Sequence, residues 1–135
     1  MFLNCTAHSL NPRQVKKALE LSANIAELKT IKPSLHERLI NCPSTEIEQI
    51  DLAYELFDEI LVQKEKCKED LYVHLPVGSP FFMTVFIHYF PKDKKGIHFV
   101  FSHSKRDSEE VQLLDGSTEK KSLFVFEKFL VLNRN

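Results

Sequence analysis

The sequence predicts an α/β fold: a mostly parallel sheet flanked by helices, with an antiparallel hairpin at its C-terminal end. Three observations carry that expectation. Apolar, strand-like runs alternate with segments of helical periodicity, the pattern of parallel strands joined by helical crossovers. Helix start signals stand where those segments begin, at Asn11-Pro12, Thr45 and Ser79-Pro80. Asp115-Gly116 then lies between two strand-like runs, the preferred dipeptide of a tight primed turn.

Taken in order, residues 1–7 begin apolar as a strand and run into the polar loop "TAHSLN". Asn11 occupies an N-cap position with Pro12 at N1 and Gln14 at N3, three agreeing signals for a helix. Val15, Ala18, Leu19 and Ser22 mark one face of that helix through about residue 23. "NIAELKTI" alternates and predicts a strand over 24–31. Pro33 and Ser34 open a short helix, "SLHERLI", which Pro43 closes. Thr45 and Glu48 form a capping-box pair, and Ile47, Ile50, Tyr54, Phe57 and Leu61 recur at three and four residues. Lys64, Lys66 and Lys68 load the far end of that helix, where the macrodipole favours cations.

"DLYVHLPVG" predicts a buried strand ending at Gly78. "PFFMTVFIHYF" predicts a helix, its length outweighing its β-branched and aromatic content. "KKGIHFVFSHS" is a further strand, and "EEVQLLDGSTEKKSLFVFEKFLVL" is the closing hairpin. The expected order is β-α-β-α-α-β-α-β-β-β.

The 135 residues are expected to form one domain, 1–135, long enough to bury a core without staples. Apolar residues make up 43% and charged residues 27%, with eleven Phe and no Trp, an ordinary globular balance with a phenylalanine-rich core. The net charge is −1, which argues against the basic stripe that duplex nucleic acid requires. Any anionic ligand is therefore expected to be small and held locally. Cys5, Cys42 and Cys67 are odd in number and far apart, fitting reduced thiols in the cytoplasm better than a disulfide framework or a zinc site. No secretory signal pattern is expected at the N-terminus. The greasiest run falls short of the roughly 20 residues that a membrane span needs.

In open α/β sheets, ligands bind outside the carboxyl ends of the strands. Three polar breaks fall at such predicted ends: Thr6 to Asn11, including His8 and Ser9; Gly78-Ser79; and Ser102, His103, Ser104, Lys105 and Arg106. Ser104, Lys105 and Arg106 combine a hydroxyl, a point charge and a two-pronged guanidinium, the donor set for a phosphate. The bland alternative is a solvated turn whose cations pair with Asp107, Glu109 and Glu110. Gly78-Ser79-Pro80 offers backbone N–H groups at a helix start, or is an ordinary turn. His8 and His103 suit general acid–base work near neutral pH, or are hydrogen-bonded spectators. His36, His74, His88 and His98 fall inside predicted elements and read as structural. No metal-ligand spacing, nucleophile elbow or P-loop is present.

"CTAHSLNPRQ" and "FVFSHSKRDSEE…DGSTEKKSLFVFEKF" together resemble the small CARF-like ring nucleases of type III CRISPR systems, among the compact Csx proteins with one Rossmann-like domain. The likeness spans nearly the whole chain in element order. The resemblance implies a homodimer that binds cyclic tetra-adenylate across its two-fold axis and linearises it without metal or cofactor. The best-matching positions are His8, Gly78, Ser104, Lys105 and Arg106. A mechanism fitted to them makes Lys105, Arg106, Ser104 and His8 catalytic, while the polar strand ends put Thr6, Ser9, Gly78, Ser79, Ser102 and His103 around the ligand. Gln14 also matches, although helix capping is its simpler role. Where the family carries Thr-Thr-Arg-Arg, this chain has His103, Ser104, Lys105 and Arg106, and Gly78 is followed by Ser-Pro instead of an acidic residue. Two other readings stay open: a sponge or sensor that binds the ring without cutting it, and an unrelated α/β interaction domain.

Overall fold

The computed structural model describes residues 1–132. In chain order the elements are β1 (Phe2–Asn4), α1 (Pro12–Leu21), β2 (Ile25–Glu27), α2 (Leu28–Ile31), α3 (Pro33–Ile40), α4 (Glu46–Lys66), β3 (Leu71–Leu75), α5 (Pro80–Tyr89), β4 (Ile97–Gln112) and β5 (Thr118–Leu132). They build one mixed sheet of order β2-β1-β3-β4-β5, in which only the β4–β5 pair is antiparallel. This is the Rossmann-like α/β arrangement, with helices on both faces.

Residue alternation along the strands divides the core in two. Leu3, Val73, Leu75 and Phe99 face α4 and α5, where they meet Leu56, Ile60, Phe82 and Phe86. Phe57, Phe86, Phe90 and Phe99 form a chain of tilted and edge-on ring contacts there, with centroids 5.1–5.6 Å apart. Phe2 and Val100 face the other way, onto Ala18 of α1, with Tyr72 and Phe129 beside them. Cys5 is fully buried on the first side, and burial pushes its thiol far up, so it stays protonated.

The caps form as their residues dictate. Asn11 and Gln14 close a reciprocal capping box on α1. Thr45 Oγ1 accepts from Glu48 N–H, while the Glu48 carboxylate accepts from the Thr45 hydroxyl and leaves the other half of the box unmade. Ser79 caps α5 at Phe82 N–H, and the run expected as a helix is helical through Tyr89, with Phe90 as its C-cap.

Three sequence expectations change. The strand expected over 24–31 ends at Glu27, and Leu28–Ile31 coil into a helical turn. Its one sheet neighbour among the described residues, β1, is three residues long and offers no ladder partner beyond Asn4, so the chain turns in and buries Leu28. The strand expected to stop near Ser104 instead runs unbroken to Gln112. It thereby merges two expected strands into one sixteen-residue element. Glu109 faces Lys121 and Glu110 faces Lys120 across that ribbon, opposite-charge pairs that suit a ladder with both faces wet. Finally, the connection is the five-residue loop 113–117, built on a Leu113–Gly116 turn. A type I′ turn needs positive φ at both central residues, but here Leu114 and Asp115 are central and neither has it, while Gly116 follows them at +86°.

Candidate functional site

The sheet reverses its winding between β1 and β3: β2 lies to one side of β1, while β3, β4 and β5 lie to the other. At such a switch point the loops leaving adjacent strands part and open a crevice. In this chain the loop after β1 and the loop after β3 border a cleft of about 480 Å³ lined by Cys5, Ala7, Leu39, Asn41, Cys42 and Gly78, among others. Gly78 adopts φ +62°, and a Cβ there would stand 3.4 Å from both Cys42 Sγ and the Leu39 carbonyl oxygen. Only glycine takes that backbone without strain.

On the opposite face of the same strand ends, a polar chain crosses the sheet. Asn4 is fully buried. Its Nδ2 donates to Glu27 Oε2 at 2.8 Å and to the His8 carbonyl at 2.9 Å. Its Oδ1 accepts from the Thr6 backbone N–H at 3.2 Å and from the Thr6 hydroxyl at 2.7 Å. Because Oδ1 is an acceptor, the contact with His74 Nδ1 at 2.9 Å places the imidazole proton on Nδ1. His74 Nε2 is therefore left as an acceptor, and Ser102 Oγ donates to it at 2.8 Å. Gln14 Nε2 in turn donates to Ser102 Oγ at 3.2 Å. Burial pushes the His74 pKa down to about 4, which keeps the ring neutral at pH 7. Phe2 and Phe129 pack on it at 5.6 and 5.1 Å.

The residues singled out in the sequence divide between these places. Thr6 joins the polar chain, and its carbonyl accepts from His36 Nε2 at 2.8 Å. His8 contributes its carbonyl to Asn4, while its side chain is exposed. Ser9 Oγ accepts from Lys29. Gly78 borders the cleft; the Ser79 hydroxyl is taken up by the α5 cap and by Gln49 Oε1 at 2.5 Å.

Ser102 is half-buried at the point where β4 loses its β3 partner after Phe101. His103, Ser104, Lys105 and Arg106 do not end a strand. They straddle a bulge between His103 and Ser104 and continue into the exposed ribbon. Arg106 donates to Ser122 Oγ from Nε at 3.3 Å and from Nη2 at 3.0 Å. The structure thus brings Thr6 and Ser102 together through Asn4 and His74, and carries Lys105 and Arg106 out along the arm. Among the described residues, no group of three or more His, Cys, Asp or Glu side chains is placed to hold a metal. No helix among them is long and apolar enough to cross a membrane.

The profile of the uncharacterized protein MJ1673 family matches residues 1–130. The chain belongs to the MJ1673 family. No curated protein and no solved structure matches it. For this MJ1673-family chain, sequence reasoning passed over Asn4 and Glu27 and read His74 as structural. A signal for Asn4 and His74 was present: each interrupts an apolar strand run, "MFLNC" and "LYVHL", at a position that alternation buries. A buried polar side chain needs a partner, so two such interruptions in adjacent strands are a reason to look for a bond between them.

Proposed function

We propose that the protein is a CARF-like ring nuclease of type III CRISPR signalling. It acts in the cytoplasm as a homodimer that binds cyclic tetra-adenylate at the carboxyl edge of its sheet and linearises it. The observation that carries this reading is the cleft at the β1–β3 switch point, where α/β sheets take nucleotides. The resemblance of the β1 loop and the β4 segment to that family supports it. An RNA ring brings its own nucleophile: the ribose 2′-oxygen bonds to the adjacent phosphorus, and the bond to the 5′-oxygen breaks. His8 or His103 takes the 2′-OH proton, and the 5′-oxygen is protonated as it leaves. Ser104, Lys105 and Arg106 stand on the arm outside the cleft. In this reading they meet the phosphates of a ring that reaches past the cleft onto the arm, Ser104 orienting the phosphate and Lys105 and Arg106 stabilising the charge that builds on it. The products are linear oligoadenylates ending in 2′,3′-cyclic phosphate.

The test is incubation with cyclic tetra-adenylate in EDTA, followed by chromatography. Linear products are expected, formed at least about 100-fold more slowly by a Lys105→Ala/Arg106→Ala variant. Intact ring that nonetheless binds tightly would establish a sponge. Neither cleavage nor binding would overturn the reading.

A further inference from the structure

Besides the switch-point cleft, the molecule holds a second assembled group of reactive side chains, the chain from Glu27 through Asn4 and His74 to Ser102. A structural network of this kind needs only to be satisfied. This one is also directional. The Asn4 Oδ1 contact assigns the imidazole proton to Nδ1, and the donors beyond it point so as to leave Ser102 Oγ–H bonded to a free imidazole lone pair. A hydroxyl held by a base that is itself held by a third group is the arrangement that activates a nucleophile. The distances, 2.8 Å from hydroxyl to base and 2.9 Å from base to orienter, fall within hydrogen-bond reach for both links.

Gln14 adds the fourth part. Its Oε1 accepts from Asn11 N–H at 3.0 Å in the capping box, so the amide cannot turn over and its Nε2 is aimed at Ser102. One N–H of this amide donates to Ser102 Oγ itself; the second N–H of the same NH2 group is the donor assigned to a developing oxyanion beside the nucleophile. His74 and Asn4 are buried, whereas Ser102 and Gln14 are half-exposed. The base is thus shielded while the nucleophile and the oxyanion donor stand at the surface.

We propose that Ser102, His74 and Asn4 form a serine-nucleophile triad, with Gln14 as oxyanion donor, that hydrolyses small activated acyl esters. Ser102 Oγ bonds to the carbonyl carbon and its proton passes to His74 Nε2, while the carbonyl π pair moves onto oxygen beside Gln14 Nε2. As the oxyanion collapses, the bond to the leaving alcohol or thiol breaks and that group takes the proton from His74. Water then bonds to the acyl carbon, giving its proton to His74; the bond from that carbon to Ser102 Oγ breaks, His74 returns the proton to Oγ, and the free acid leaves. The substrate class follows from the orienter. Asn4 is neutral and the nearest carboxylate, Glu27, lies one bond further along the chain, so the imidazolium is weakly stabilised. The site suits aryl esters and acyl thioesters and is unsuited to amides.

The experiment treats the full-length protein with a fluorophosphonate and, separately, with p-nitrophenyl acetate, and maps adducts by mass spectrometry. A single phosphonyl adduct on Ser102 is expected, together with ester turnover. Ser102→Ala should abolish both. His74→Gln should slow adduct formation by about 100-fold or more, and Gln14→Ala should slow ester turnover by about 100-fold. Absence of an adduct on Ser102 in the wild-type protein overturns the proposal, and needs no variant to fold. An adduct formed equally fast in folded His74→Gln overturns it as well. Neither probe is a nucleotide, so the result is independent of whether the ring is cleaved.

Discussion

Asn4 Oδ1 lies 2.9 Å from His74 Nδ1, joining two residues 70 positions apart at the carboxyl ends of adjacent parallel strands. That one bond settles which imidazole nitrogen carries the proton, and so which way the rest of the chain to Ser102 points. Replacing Asn4 by Leu keeps the volume near and removes the hub. The His74 Nδ1–H and the Thr6 backbone N–H lose their acceptor, and Glu27 loses a donor. Leaving such groups unpaired costs about 1–3 kcal/mol each when they are buried. Asn4→Leu is therefore expected to destabilise the protein by about 3 kcal/mol, read as a fall in the urea midpoint at pH 7. A change under about 0.5 kcal/mol would mean that the network is not coupled to folding.

His74 also makes stability depend on pH. In the folded protein burial holds its pKa at about 4, against an ordinary value of 6.5. Between those values the unfolded chain binds the proton and the folded chain does not. The stabilisation is present in full above pH 6.5 and is lost as pH falls towards 4. The span corresponds to something on the order of 3 kcal/mol. His74→Gln cannot titrate, so the stability difference between wild type and variant should shrink steadily from pH 7 to pH 4.5. Parallel urea denaturation series across that range would check it, and a constant difference would contradict it.

The fold was legible where local chemistry decides it. Asn11, Pro12 and Gln14 announced α1, and Ser79-Pro80 announced α5, because capping is a matter of neighbours three residues apart. The order of strands and helices followed from the same local signals, which is why the α/β class was readable. What was not legible depended on partners. Whether residues 28–31 extend depends on the length of β1, and whether 102–112 forms a strand depends on β5 across the ladder. The polar chain is the extreme case. Asn4, His74 and Ser102 meet through strand register, which no short window contains, so Ser102 was singled out for a ligand while its link to His74 and Asn4 was missed.

Gly78 tests the cleft. Its φ of +62° means that an added methyl strains the backbone, while the methyl itself would rest in ordinary van der Waals contact, 3.4 Å from Cys42 Sγ and from the Leu39 carbonyl oxygen. Gly78→Ala is expected to cost about 1–2 kcal/mol through the left-handed backbone alone. In the proposed ring nuclease it should also weaken cyclic tetra-adenylate binding at the cleft by more than that loss of stability reduces the folded fraction. Isothermal titration at a temperature where both proteins are fully folded separates the two effects. Unchanged affinity would remove Gly78 from the ligand surface.

The ribbon beyond the bulge bears on the proposed homodimer. A two-stranded ribbon is marginal in water by itself, yet this one leaves Phe124 74% exposed and Leu123 49% exposed. β5 is also the last strand of the sheet, and its outer side has no ladder partner among the described residues. A long open edge with apolar side chains is a template for pairing, and a second copy meeting it about a two-fold axis would cover both arms with one self-complementary contact. Phe124→Asp is expected to leave protomer stability within about 0.5 kcal/mol, as for other exposed substitutions. It should weaken the dimer at least about tenfold through charge buried in the contact. Sedimentation equilibrium over a concentration series would show it as a shift from dimer to monomer mass. A wild-type protein that sediments as a monomer throughout would refute the homodimer, and with it any part for Phe124 in holding two copies together.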